Sequence, residues 1–306
     1  MAEITANGIR LHYATHGDET AAPLLLIAGL GMQMTRWPEG FLKALTARGF
    51  RVIVMDNRDI GLSQGFDHAG LPDLAAMAAE RRAGGWPAAA YDLSDMAADC
   101  VGLLDALGIE SAHIAGMSMG GMIAQLIACD HPGRARSLTS IMSTTGDPGL
   151  PEATEAASAA LTGPRPHPDT DLEGFLAASI KAARAIGSPA YPSSEQELGA
   201  RALADARRSW RPQGFLRQYA AIMASPGRGA KLAALALPAV VIHGVDDPLV
   251  RFAAGEATAR AIPGAQLEAI EGMGHDLPAP LFERIAGGIA RAAARAHTQT
   301  QTQAEA

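Results

Sequence analysis

The chain has 306 residues, 48% of them hydrophobic and 19% charged, with a formal net charge of −7. That apolar content excludes a disordered chain and suffices for one large α/β domain with an insertion, or for two domains. Net acidity without a Lys/Arg run excludes a phosphate-binding face, so no nucleic-acid partner is expected.

The first residues, "MAEITANGIRLHY", read as strand–turn–strand around Asn7-Gly8. They lack the basic-then-apolar pattern of a secretory leader, and no apolar run reaches the ~20 residues of a membrane span. A soluble cytoplasmic protein is therefore expected. "APLLLIAGLG" (22–31) and "RVIVMDNRD" (51–59) are short apolar runs closed by turn residues, which predicts buried strands. Between them "WPEGFLKALTARG" carries helical spacing and stops at Gly49. "LSDMAADCVGLLDALG" is a second helix, "SAHIAGM" (111–117) a strand, "MGGMIAQLIACDHPG" a helix and "RSLTSIMST" (136–144) a strand. Strands alternating with helices at this rhythm predict a mostly parallel sheet covered on both faces.

The rhythm breaks near Thr145 in a Pro-rich polar stretch. Three helical pieces follow, "LEGFLAASIKAARAIG", "EQELGARALADARRSW" and "PQGFLRQYAAIMAS". Strands return with "LPAVVIHGVDDPLV" (237–250) and "AQLEAIEGMGHDLP" (265–278), before a last helix from "PLFERIAGG". The expected organisation is an α/β core over residues 1–145 and 229–296, a helical cap over 146–228, and a mobile polar tail over 297–306. Cys100 and Cys129 lie in apolar helix-like stretches and read as small core residues. No His/Cys spacing suggests a metal site.

Two segments match G-x-S-x-G: "GLSQG" around Ser63 and "GMSMG" around Ser118. A nucleophile elbow needs a strand directly before the serine and a helix directly after it, with small residues two positions to either side. Ser118 meets each condition. Ser63 lies between polar turns and reads as a turn serine. A serine hydroxyl needs an adjacent base, and the base an orienting acid; behind such an elbow the chain order is Ser, acid, His. Order and context leave His243, inside a strand, and His275, in the loop after a strand, and the loop position favours His275. The acid should follow the preceding strand, where Asp246 and Asp247 both stand. Two backbone N–H groups should form an oxyanion hole: Met119, next to the nucleophile, and Leu30 in the loop after "LLLIAG", with Gly31 as rival. Met32, Met34, Met117, Met119 and Met273 flank these positions, so either they make an adaptable apolar cleft or they fill the core. Trp37, Trp86, Trp210, Phe215 and Tyr219 are candidate walls, and residues 66–91 a second lid piece.

Together "AGLG", "DNRDIGLS", "GMSMGG", "GVDDPLV" and "GMGHDLP" resemble the α/β-hydrolase superfamily. "LLIAGLG", "RWP" and "DNRD" narrow the likeness to bacterial carboxylesterases of the aclacinomycin methylesterase-like group, although Ala28 stands where many relatives carry His. The resemblance implies an α/β-hydrolase fold: a mostly parallel eight-stranded sheet, its second strand antiparallel, with the cap inserted after the sixth. It implies Ser118, Asp247 and His275 as triad, Leu30 and Met119 as oxyanion donors, and no cofactor or metal. It gives Asp56, Arg58 and Asp59 a bracing role. The expected partner is a small-molecule ester with an apolar portion, with substrate pocket candidates Met32, Met34, Trp37, Met273 and Trp210. A C–C bond hydrolase, a perhydrolase or an acyltransferase could use the same triad, and a ligand receptor the same fold.

Overall fold

The computed structural model describes the backbone of residues 1–304 and the side chains of residues 1–298. Eight strands form one sheet: β1 (Ala2–Ala6), β2 (Ile9–His16), β3 (Ala22–Ile27), β4 (Phe50–Met55), β5 (Ala112–Met117), β6 (Ala135–Ile141), β7 (Ala239–Gly244) and β8 (Gln266–Ile270). Their order is β1-β2-β4-β3-β5-β6-β7-β8, and β2 runs antiparallel to both its neighbours while β3 to β8 are parallel. Asn7 and Gly8, both at positive φ (49° and 74°), make the β1–β2 turn. The central strands β5 and β7 are buried at every residue, which is why they read as continuous apolar runs and not as alternating ones.

Helices α1 (Glu39–Thr46), α2 (Leu74–Arg82), α3 (Leu93–Ala106) and α4 (Met119–Asp130) precede β6. Between β6 and β7 come α5 (Glu155–Thr162), α6 (Leu172–Ile186), α7 (Glu195–Arg208), α8 (Pro212–Ala224) and α9 (Gly229–Leu232). Helix α10 (Phe252–Ala261) follows β7, and α11 (Phe282–Ala304) closes the chain. Two core clusters flank the sheet. One joins Leu25, Ile27 and Ile53 to α3 and α4, and the other joins Leu24, Leu26 and Ile141 to α1 and α11. Apolar burial on both faces makes the sheet the rigid platform from which loops at the strands' carboxyl ends project.

The three helical pieces after β6 correspond to α6, α7 and α8. The Pro-rich stretch before them also holds α5, and residues 66–91 hold α2, which packs against α8. Helix α11 continues through residues 297–304, where a separate polar tail was expected. The last two residues of that expected tail, 305 and 306, lie outside those described. Cys100 is buried and Cys129 half-buried, and both are free thiols.

Candidate active site

The segment "GMSMGG" is a sharp strand-to-helix turn. Ser118 stands between β5 and α4 at φ 56°, ψ −121°, a left-handed setting that costs a non-glycine residue roughly 1–3 kcal/mol. The surroundings over-determine it. Its N–H donates to Ile141 O (2.9 Å), while its carbonyl accepts from Gly121 N (2.9 Å) and Ser143 Oγ (2.7 Å). The glycines are required by close approach. A Cβ on Gly116 would stand 2.0 Å from Gly120 O, and one on Gly120 2.1 Å from Ile27 O. Only bare backbone lets α4 leave the sheet so near the strand that feeds it. Ser63, the rival match, is fully buried; its Oγ donates to Asp56 O (2.6 Å) and accepts from His12 N (2.9 Å), so it braces a turn.

The loops after β7 and β8 meet beside each other. Asp247, 1% exposed, accepts from Leu249 N (2.8 Å) and Val250 N (2.9 Å) on Oδ1, and its Oδ2 lies 2.7 Å from His275 Nδ1. Burial pushes this carboxyl up, but the facing ring of His275, its hydrogen bond, and the nearby ring of His243 outweigh it and hold the group well below the usual carboxylate range. An ionised acceptor at Nδ1 places that ring's proton on Nδ1 and leaves Nε2 as a proton acceptor. Asp246 accepts from Gly272 N (2.8 Å) and ties the turn instead. His243 Nε2 donates to Val250 O (2.7 Å) and lies 3.5 Å from Asp247 Oδ2. Fully buried in β7, His243 flanks the acid, a position its place inside a strand does not reveal. Asp276 turns away to Ser188, accepting from its N–H (3.1 Å) and its hydroxyl, and Ser188 Oγ accepts from Gly274 N (2.9 Å).

The loop after β3 passes against the elbow: a Cβ on Gly29 would stand 3.3 Å from Ser118 Cβ. Gly31 N–H is taken by Gln218 Oε1 (2.9 Å), which removes the rival oxyanion donor. Among the described residues, Leu30 N–H donates to no loop or side-chain acceptor. Met119 opens α4, where an N–H has no intrahelical acceptor.

The expected pocket residues separate. Met32 Sδ would meet the same Gly29 Cβ at 3.3 Å, so Met32 and Ser118 flank one glycine, and Met32 also packs partly buried on the core cluster under α1 and α11. Met34, Trp37 and Met273 are buried in the core cluster under α1 and α11, with Trp37 stacked on Phe41 (5.9 Å), so core filling describes them. Met119 is likewise fully buried. Trp210 lies among the inserted helices, edge-on to Phe175 (5.2 Å). Trp86 is exposed, with Arg81 over its ring (3.7 Å).

"DNRD" braces as expected. Asp56 accepts from Met34 N (2.7 Å) and Arg208 (2.7 Å), Asn57 Nδ2 donates to Ala28 O (3.0 Å), and Asp59 receives both arms of Arg217 (2.8 and 2.7 Å). Arg58 is 5% exposed and bidentate to Asp99 (2.6 and 2.7 Å), which occupies it structurally.

A serine elbow over a mostly parallel sheet, with an Asp–His pair on the loops of its last two strands, defines a class. Residues 22–278 match the alpha/beta hydrolase fold family, and the chain belongs to that family. It is 29% identical to rhodomycin D methylesterase DnrP of Streptomyces peucetius and 30% identical to rhodomycin D methylesterase DauP of Streptomyces sp. strain C5, each over 98% of both chains. Among solved structures it resembles the enol-lactonase of Burkholderia xenovorans LB400 (TM-score 0.69, 22% identity, 97% of this chain and 100% of that one). It also resembles a thermophilic esterase of Thermogutta terrifontis (TM-score 0.69, 24% identity, 97% and 98%). Among the described residues no helix is long and apolar enough to cross a membrane.

Proposed function

We propose that the chain hydrolyses carboxylic esters through an acyl-enzyme on Ser118. Ser118 Oγ attacks the ester carbonyl as His275 Nε2 takes its proton. The C–O bond to the leaving alcohol breaks and His275 returns the proton to that alcohol. Water, deprotonated by the same ring, then releases the acid. Asp247 holds the imidazole tautomer and faces the positive ring that forms. Leu30 and Met119 N–H groups receive the oxyanion. The observation that carries this reading is the 2.7 Å contact between Asp247 Oδ2 and His275 Nδ1, on loops at the same end of the sheet as the left-handed Ser118.

The methylesterase relatives favour a methyl ester as substrate, and Met32, partly buried across Gly29 from Ser118, favours an apolar portion of it. Residues 146–228 act as the cap in this reading, supported by the five-helix excursion between β6 and β7. We place the reaction in the cytoplasm, a reading supported by the free thiols of Cys100 and Cys129. Cell fractionation tests that location.

The deciding experiment follows p-nitrophenyl acetate and butyrate, then methyl esters, with wild type and Ser118→Ala, alongside a phosphonate label mapped by mass spectrometry. Turnover by wild type, its loss in Ser118→Ala, and label on Ser118 are expected. Unchanged turnover in Ser118→Ala would remove the nucleophile. Labelled Ser118 without ester turnover would point to C–C bond cleavage or a receptor.

A further inference from the structure

We propose that Gln218, contributed by the inserted helix α8, is the positioning residue of the oxyanion turn and makes Leu30 N–H its donor. The inference rests on the esterase reading above. Gln218 is fully buried, and both ends of its amide are engaged: Oε1 accepts from Gly31 N (2.9 Å) and Nε2 donates to Arg58 O (2.7 Å). Only one orientation of the amide satisfies a donor on one side and a carbonyl on the other, so the side chain is a fixed strut between two loops.

The contact is a packed one. Gly31 lies at φ 69°, and a Cβ there would stand 2.6 Å from the ring of Phe215, one turn before Gln218 on the same helix. A Cβ on Gly214 would stand 2.0 Å from Asp59 O, so α8 presses its first turn onto the "DNRD" loop as well. The oxyanion turn is therefore set against one face of α8, with Phe215 beneath it and Gln218 gripping its end.

The chemistry follows from the peptide order. Leu30 and Gly31 offer consecutive N–H groups directly after Gly29, the residue that packs against Ser118, and an oxyanion site needs one of them aimed at a single point. Gln218 consumes the second and fixes the peptide plane that carries the first. Without that acceptor, the half-buried Gly31 N–H loses its partner, and the turn can rotate to find another. The interaction acts on transition-state charge and not on substrate docking, so its loss should appear in kcat and leave KM alone.

The test compares wild type, Gln218→Met and Gln218→Glu on p-nitrophenyl butyrate, each rate expressed per phosphonate-titrated site, with Ser118→Ala, which has no site to titrate, expressed per mole of protein. Gln218→Met removes both bonds at similar length, whereas Gln218→Glu keeps an acceptor for Gly31. The expected order of kcat is wild type, then Gln218→Glu, then Gln218→Met, the last roughly tenfold or more below wild type with KM within about twofold. Should Gln218→Met fail to fold, Gln218→Asn, one methylene too short for the span, carries the same expectation. A normal kcat per site in Gln218→Met or Gln218→Asn, or equal losses in those variants and in Gln218→Glu, would overturn the proposal. Persistent turnover in Ser118→Ala would overturn the esterase reading separately.

Discussion

Asp247 keeps its charge in a place where burial alone opposes charge. Two backbone N–H groups and two imidazoles repay that cost, so the folded-state pKa lies below the unfolded value of about 3.9. The sign follows from linkage: this contribution to stability is complete above the unfolded value and is lost as acid titrates the folded carboxylate. Asp247 is thus ionised throughout neutral pH and can hold the Nδ1–H tautomer of His275. Asp247→Asn is expected to lower kcat by roughly 10³–10⁴-fold, since an amide no longer enforces that tautomer. Steady-state kinetics checks it, and a loss under tenfold would remove the orienting role. At this scale spacing alone leaves both Asp246 and Asp247 open, and the family resemblance favours Asp247. The direction of the turn, which sends Asp246 to Gly272 N, supplies the physical reason.

The elbow is a property of two elements approaching too closely for any Cβ. Gly120→Ala places a methyl group 2.1 Å from Ile27 O, so α4 must move off β3 and carry Met119 with it. Overpacking of this kind costs about 1–3 kcal/mol, and a displaced N–H costs activity as well. We expect a lower denaturation midpoint together with reduced kcat; full stability and full activity in Gly120→Ala would contradict the close approach. Element identity was readable where apolar residues recur at fixed spacing, as in α3, α4 and the six parallel strands. It was not readable for α2, α5 and α10, whose faces are mostly alanine and give a weak periodic signal.

His113 links fold and pH across the whole molecule. It is buried in β5, with Nδ1 on Ser137 Oγ (2.9 Å), and burial, with help from Arg136 and His297, pushes its pKa down to about 4. The unfolded chain binds a proton near 6.5 and the folded chain does not, so stability is complete above about 6.5 and declines as pH falls toward 4. Between pH 7 and pH 5 this group alone should cost about 1–2 kcal/mol. Urea unfolding at the two pH values should show a smaller decline for His113→Gln than for wild type, whereas parallel declines would exclude the mechanism. At the same scale, Asp56–Arg208 and Asp59–Arg217 bind the inserted helices to the core across more than a hundred residues of chain.

What the sequence determined alone was local: an elbow written within five residues, a turn at Asn7-Gly8, and the strand–helix rhythm. These follow from steric rules that act between near neighbours on the chain. The tertiary structure decided what depends on distance through space. It gave Asp246 a separate partner in Gly272 N, put His243 against the acid, and brought Gln218 to Gly31 from 187 residues away. A hydrogen bond of 2.9 Å leaves no trace in spacing when its partners lie on different elements, because nothing in the chain between them has to show it.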